Sequence, residues 1–177
     1  MITTALLLAA AQYPLERIAF MPSTQPEQRL GESFVELGDV NGDGVSDFAV
    51  GSPGHLPSVG WGSGLVEAFS GADGTKLYQV DPIPIVDTQL GVRMTVIGDV
   101  NNDGASDYVV GCGGPSAAYV ISGRDGTRLM DVDTQSNGQV SMQLHTVGDM
   151  TGDGMPEFII GLPNDSTNGI FLSGRVL

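Results

Sequence analysis

Three short strings of this sequence carry oxygen-bearing side chains at a spacing that can surround a metal ion. Residues 39–47 read DVNGDGVSD, residues 99–107 read DVNNDGASD and residues 149–157 read DMTGDGMPE. Each places an oxygen donor at its first, third, fifth and ninth positions and a glycine at its sixth. Calcium takes six to eight oxygen ligands at about 2.3–2.6 Å, and alternating short side chains on a tight loop can aim them at one centre. The expected ligands are Asp39, Asn41, Asp43, the Val45 carbonyl and Asp47 in the first loop. In the second they are Asp99, Asn101, Asp103, the Ala105 carbonyl and Asp107, and in the third Asp149, Thr151, Asp153, the Met155 carbonyl and Glu157. Gly44, Gly104 and Gly154 permit the left-handed backbone that brings the later ligands round.

Acidic Asn-Gly-Asp-Gly strings are also ordinary turn chemistry. The difference from plain turns is the repetition of three carboxylates per loop, which repel one another unless a cation lies between them. Calcium is therefore the expected cofactor of the first two loops. The third, with Thr151 and Glu157 where the others have Asn and Asp, is the less usual donor set. A helix-loop-helix calcium site would need a bidentate Glu at position twelve, where this chain has Val50, Val110 and Ile160. Each loop instead runs into a short apolar stretch stopped by Gly51, Gly111 or Gly161, the pattern of a buried strand.

The elements that must hold these loops repeat with them. The first two loops start 60 residues apart and the last two 50 apart. Ser-Gly pairs recur at Ser70-Gly71, Ser122-Gly123 and Ser173-Gly174, and Leu-Gly pairs at Leu30-Gly31 and Leu90-Gly91. Self-similarity at such a period marks a stack of supersecondary units. Each unit reads as four strands: Ser33 to Gly38, Phe48 to Val50, Leu65 to Phe69 and Lys76 to Val80 in the first. In the second they fall near Met94 to Gly98, Tyr108 to Val110, Ala118 to Ile121 and Arg128 to Val132. The third runs from Val140 through Phe158 to Ile160 and Ile170 to Leu172, without a fourth strand. Asp73-Gly74 and Asp125-Gly126 predict type I′ hairpins. The units span 30–81, 82–133 and 134–177. The segment 1–29 is either a signal remnant, from its Ala5 to Ala11 run, or the outer strand of a blade, since Glu16 to Phe20 lies in register with Lys76 to Val80.

The 177 residues suffice for one sizeable core. Glycine and proline number 26 and 10, which favours short strands and turns over helices. The net charge is −14, and nine of the 21 acidic residues lie in the three loops, so three calcium ions would offset charge where repulsion is worst. No basic cluster offers a nucleic-acid or anionic-membrane footprint, and no run reaches the roughly eighteen apolar residues of a membrane span. Cys112 is the sole cysteine, expected as a small buried hydrophobe. No nucleophile elbow or paired-carboxylate site stands outside the loops, so the chain is expected not to be an enzyme.

The strings LGESFVELGDVNGDGVSDFAVGSP from Leu30, LGVRMTVIGDVNNDGASDYVVGCG from Leu90 and VGDMTGDGMPEFIIGLP from Val147 resemble FG-GAP repeats, the blades of integrin alpha-subunit β-propellers. The resemblance implies an all-β chain of about three four-stranded antiparallel blades, with calcium loops on one face and ligand contact on the other. It departs from the family at Leu30 and Leu90, where the family has Phe, and at the Gly111-Cys112-Gly113-Gly114 corner, which lacks its proline. Propellers typically have four to eight blades, so three units imply a partial propeller or a ring completed by self-association. The function the resemblance implies is non-catalytic recognition of a protein or glycan outside the cell, secreted or at the cell surface. The alternatives are an accessory domain of a secreted hydrolase and a structural spacer. The expected ligand face comprises Ser52 to Ser63, Pro82 to Leu90 and Pro163 to Gly169. There Trp61 is read first as a cap on the core and second as a ligand contact, and His55 and His145 fit no catalytic motif.

Overall fold

The structure, a computed structural model, describes residues 27–55, 62–81, 88–113, 117–134, 142–163 and 175–176. Its described elements are all strands. Strands β1 (Ser33–Gly38), β2 (Asp47–Gly51), β3 (Val66–Phe69) and β4 (Lys76–Val80) form one antiparallel meander. Strands β5 (Arg93–Gly98), β6 (Asp107–Gly111), β7 (Ala117–Ile121) and β8 (Arg128–Asp133) form a second. Strands β9 (Gln143–Thr146), β10 (Phe158–Leu162) and β11 (Arg175–Val176) form a third. The registers coincide: Val35 faces Ala49, Thr95 faces Val109 and His145 faces Ile159. The three sheets are therefore equivalent blades of propeller type.

Alternation along β1 explains the stacking. Ser33, Val35 and Leu37 are buried while Phe34 and Glu36 are exposed, because a strand sends successive side chains to opposite faces. The buried face of the first blade joins Tyr108, Val110, Cys112, Tyr119 and Ile121 of the second in one core. The second blade's other face, with Ile97, Val109, Ala118 and Val120, meets Ile160 and Leu162 of the third in another. Burying a side chain such as Leu37 or Ile121 contributes about 1.5–3 kcal/mol. Strands β1, β5 and β9 pack side by side along the line of blades. Polar links cross the junctions there: Ser33 Oγ donates to the Gly91 carbonyl at 2.6 Å, and Thr95 Oγ1 lies 2.8 Å from Thr146 Oγ1. Cys112 is fully buried in the first core, and burial pushes its thiol up to about 12.

Two details differ from the sequence expectation. The Asp-Gly hairpins are not type I′, because Gly74 and Gly126 have φ of +77° and +79° but Asp73 and Asp125 do not adopt positive φ. The loop is longer than two residues. Ser70 and Thr75 close it with an N–H to carbonyl bond of 2.8 Å, Gly74 N–H returns to the Ser70 carbonyl at 2.9 Å, and Asp73 Oδ1 accepts from the Thr75 N–H. That side-chain turn accompanies an Asp73 without positive φ, so only the glycine need be left-handed. In the third blade, β11 follows the Ser173-Gly174 mark, whereas β3 and β7 precede theirs. Two pairs, Gly161 with Val176 and Leu162 with Arg175, hold it, and so short a ladder specifies register weakly. The expected strand Ile170 to Leu172 lies outside the described residues, as do most of 1–29, Trp61, Pro82 to Asp87 and Asn164 to Gly169.

Candidate metal centre

Each predicted loop joins the first strand of a blade to the second at one end of the sheet. A bulge at Glu36/Gly38, and its counterpart at Val96/Gly98, releases the chain from the ladder just before the loop begins. Gly44, Gly104 and Gly154 adopt φ of +87°, +89° and +90°, the left-handed turn expected at position six. The meander places the described residues 52–55, 62–65, 81 and 88–92 at the opposite end of the sheets.

In the first loop Asp39 acts as an organiser. Its Oδ1 accepts the N–H groups of Gly42 and Asp43 at 2.8 and 3.0 Å, and its Oδ2 that of Gly44 at 2.8 Å. Asp43 Oδ1 accepts the Val45 N–H at 2.9 Å, while Asn41 Nδ2 donates to Asp43 Oδ2 at 2.8 Å. Asp47 is fully buried. Its Oδ2 accepts from Val40 and Asn41 N–H at 2.9 and 3.2 Å, and its Oδ1 from Gly71 N–H at 3.0 Å. The second loop repeats this set: Asp99 accepts from Asp103 and Gly104, Asp103 from Ala105, and Asn101 donates to Asp103. Asp107, also fully buried, holds Val100, Asn101 and Gly123 N–H at 2.9, 3.3 and 3.1 Å.

The third loop is looser and more open. Asp149 accepts from Gly152 and Gly154, Asp153 from Met155, and Glu157 from Met150 N–H and Thr151 Oγ1. Asp149, Asp153 and Glu157 bring one carboxylate oxygen each within 4.8 Å of the others, the acidic trio among the described residues that meets this closeness. The donor set that sequence makes least usual thus converges most, because the extra methylene of Glu157 reaches further into the loop than Asp47 or Asp107.

Electrostatics follow the hydrogen bonds. The Asn41 amide and the Val45 N–H hold Asp43 below the ordinary carboxylate value, and the Gly154 and Gly152 N–H groups do the same for Asp149. At Asp103 burial pushes upward, but Asn101, Ser122 and Ala105 together outweigh it and leave the group lowered. Asp107 is raised, because burial outweighs its three amide donors. Donor sets made only of oxygen suit a hard cation such as calcium, so the residues fit the group. The fit requires one adjustment, since Asn41 and Asn101 must turn Oδ1 rather than Nδ2 toward an ion beside Asp43 and Asp103.

The sequence reading missed that the first two Ser-Gly pairs belong to this centre. Ser70 Oγ donates to Asp43 Oδ2 at 3.2 Å, Ser122 Oγ donates to Asp103 Oδ2 at 2.8 Å, and the following glycines give their N–H groups to Asp47 and Asp107. A Cβ on Gly71 would stand 1.9 Å from the Ser46 carbonyl oxygen, and one on Gly123 equally close to that of Ser106. Serine and glycine are thus both dictated by the loop they face. Their recurrence once per loop was the available signal. On the expected ligand face, His55 is half-buried with its Nδ1 buried and without a hydrogen-bond partner among the described residues. His145 is an exposed strand residue.

Residues 33–64 match the FG-GAP repeat family. Human integrin alpha-X is 32% identical over 96 residues, covering 50% of this chain and 8% of that protein. Human integrin alpha-D and mouse integrin alpha-X match at the same identity and coverage. The match therefore spans less than a tenth of the length of these relatives. The chain thus carries an FG-GAP repeat at residues 33–64 and resembles integrin alpha subunits over half its length.

Proposed function

We propose that this FG-GAP repeat chain is a calcium-stabilised, non-catalytic propeller module that recognises a protein or glycan outside the cell. One observation carries the metal part: in two blades, a buried ninth-position carboxylate and a fifth-position one nearer the surface are tied to the same Ser-Gly hairpin. A cation between the carboxylates of such a loop would relieve their repulsion and fasten the first two strands to the last two. Asp39, Asn41, Asp43, Val45 and Asp47 would hold the first ion, and Asp99, Asn101, Asp103, Ala105 and Asp107 the second. Asp149, Thr151, Asp153, Met155 and Glu157 would hold a third. The ion supplies charge neutralisation and cross-linking, and the chain supplies the preformed turn.

The recognition part is supported by placement. The metal loops occupy one end of the blades and leave the connections around His55 and 88–92 at the other end free for a ligand. Among the described residues no helix is long and apolar enough to cross a membrane. The extracellular setting rests on the likeness to integrin alpha subunits and on loops of this class suiting the 10⁻⁴–10⁻³ M affinities of extracellular calcium modules.

Calorimetric titration of the chelated protein with calcium tests the reading, with melting curves on either side. Two or three ions bound and a clear rise in Tm are expected, as mass action on a folded-state ligand requires. No binding at about 1 mM calcium, the weak end for such modules, would reduce the loops to acidic turns. Screening the calcium-loaded chain on glycan and extracellular-protein arrays tests recognition. Hydrolysis of generic glycosidic or phosphoester substrates that chelator abolishes would replace it with an enzymatic role.

A further inference from the structure

The two blade junctions obey one rule, and the two outward faces of the stack obey it as well. At each junction the preceding blade presents the positions of Val35 and Ala49 and the following blade those of Phe34 and Glu36, while a contact from the Ser33 position to the Gly31 position belongs to the first junction, since Arg93, at the place of Ser33, pairs with Glu32. Between the first and second blades, Val35 and Val96 meet in one apolar cluster, and Ser33 Oγ donates to the Gly91 carbonyl. Between the second and third, Thr95 and Thr146, at the places of Val35 and Glu36, share a hydrogen bond of 2.8 Å. The chemistry changes from apolar with apolar to hydroxyl with hydroxyl, but the partners always match.

The outward face of the first blade is of the receiving kind. Phe34, at the place of Met94 and Leu144, is 73% exposed, and Glu36 is exposed beside it. No described element packs on them. The outward face of the third blade is of the presenting kind. It offers His145 at the place of Val35, Ile159 at that of Ala49, and Gln143 at that of Ser33, all exposed. Val176, paired with Gly161 as Val66 is with Gly51, adds a further apolar side chain at 70% exposure.

The geometry points to a second copy of this chain as the occupant, docking its third blade on the first blade in head-to-tail fashion. The junction rule then sets His145 against Glu36, an imidazole N–H donor against a carboxylate. It sets the Gln143 amide against the Gly31 carbonyl, as Ser33 meets Gly91, and brings Ile159 and Val176 toward Phe34. Each face thus meets on the other a side chain of complementary chemistry at positions that pair across the internal junctions. Such an interface is heterologous, so it closes only if the rotation per copy allows.

Analytical ultracentrifugation of the full chain with calcium tests this, over about 1–100 μM, where interfaces of ordinary size associate. The expected mass is twice the 18.4 kDa of one chain. His145→Glu places like charges at the junction and should raise the dissociation constant about tenfold or more. Glu36→His alone, which sets imidazole against imidazole, should also weaken the dimer. Mixing the two variants restores a His–Glu pair at both junctions of a closed dimer, and the mixture should regain the double mass. Rescue by mixing also shows that both variants are folded. A monomeric wild-type chain overturns the proposal, whether the face is then open or covered by residues 1–26. A double mass indifferent to both variants, or one that mixing fails to restore, overturns it equally.

Discussion

Asp107→Asn separates the two tasks of the ninth-position carboxylate. The side chain is fully buried, and its two oxygens receive three main-chain N–H groups, from Val100, Asn101 and Gly123. Asparagine has one oxygen and one NH₂ of nearly the same shape. Its best orientation keeps the two bonds at Oδ2 and turns a donor toward the Gly123 N–H. One charge-assisted hydrogen bond is lost, about 1.5–3 kcal/mol, and the two that remain lose their charge assistance. Against this, asparagine escapes the burial penalty that raises the Asp107 carboxyl. The net loss in chelator should be about 2 kcal/mol, or about 4–8 °C in Tm for a chain of this size. In calcium at a hundred times its dissociation constant, one site adds about 2.7 kcal/mol to the wild type, which the variant forgoes, so the gap should widen. Thermal melts of both proteins in chelator and in saturating calcium provide the measurement. A variant within about 0.5 kcal/mol of wild type in chelator would refute the anchoring role, and a gap that calcium leaves unchanged would refute the ligand role.

Gly123→Ala must move the backbone, because its Cβ would stand 1.9 Å from the Ser106 carbonyl; a loss of about 3 kcal/mol should appear in denaturant titration, and Gly161→Ala, where a Cβ would make only an ordinary contact with the Gln143 side chain at 3.5 Å, provides the contrast. Asp153→Ala alters an exposed side chain, so chelated stability should stay within about 0.5 kcal/mol while calorimetry registers one ion fewer; an unchanged ion count would remove the third site. The pH response is set by the signs of the shifts. Asp43, Asp103 and Asp149 are lowered, so the stability they contribute is complete above about pH 4 and is lost as pH falls through their folded values. Asp107 is raised, so its penalty is full above its folded value and vanishes at lower pH. Chelated melts should therefore hold between pH 7 and 5 and decline only below about pH 4, and a decline already at pH 5–6 would contradict these directions.

Strand positions were legible wherever alternation and a bounding glycine coincided. Ser33–Gly38 and Lys76–Val80 lie where the pattern puts them, and the left-handed glycine at position six follows from the loop motif alone. The Asp-Gly turns misled because the pair sits inside a loop whose closing bonds run from Ser70 to Gly74 and Thr75. A two-residue signal carries no information about the length of the loop around it. The grip of Ser70 and Gly71 on Asp43 and Asp47 was visible only as recurrence. The bonds join segments 24 to 27 residues apart, and a main-chain N–H leaves no trace in residue type. The convergence of the third trio escaped because donor identity was weighed without the reach of the longer Glu157 side chain.

Gly123 gives its N–H to Asp107 and receives at its carbonyl the Tyr78 hydroxyl, 2.9 Å away on the neighbouring blade. Arg124, the next residue, donates to the Asp103 carbonyl at 3.0 Å. A force that peels the first blade from the second is therefore delivered, through Tyr78, to the residue that the second blade's acidic loop grips. The load path of the stack runs through the loops rather than around them. Whatever stiffens a loop then stiffens the seam beside it, so a cation held there, as proposed, would make the mechanical strength of the blade stack depend on the ionic composition of the surrounding fluid.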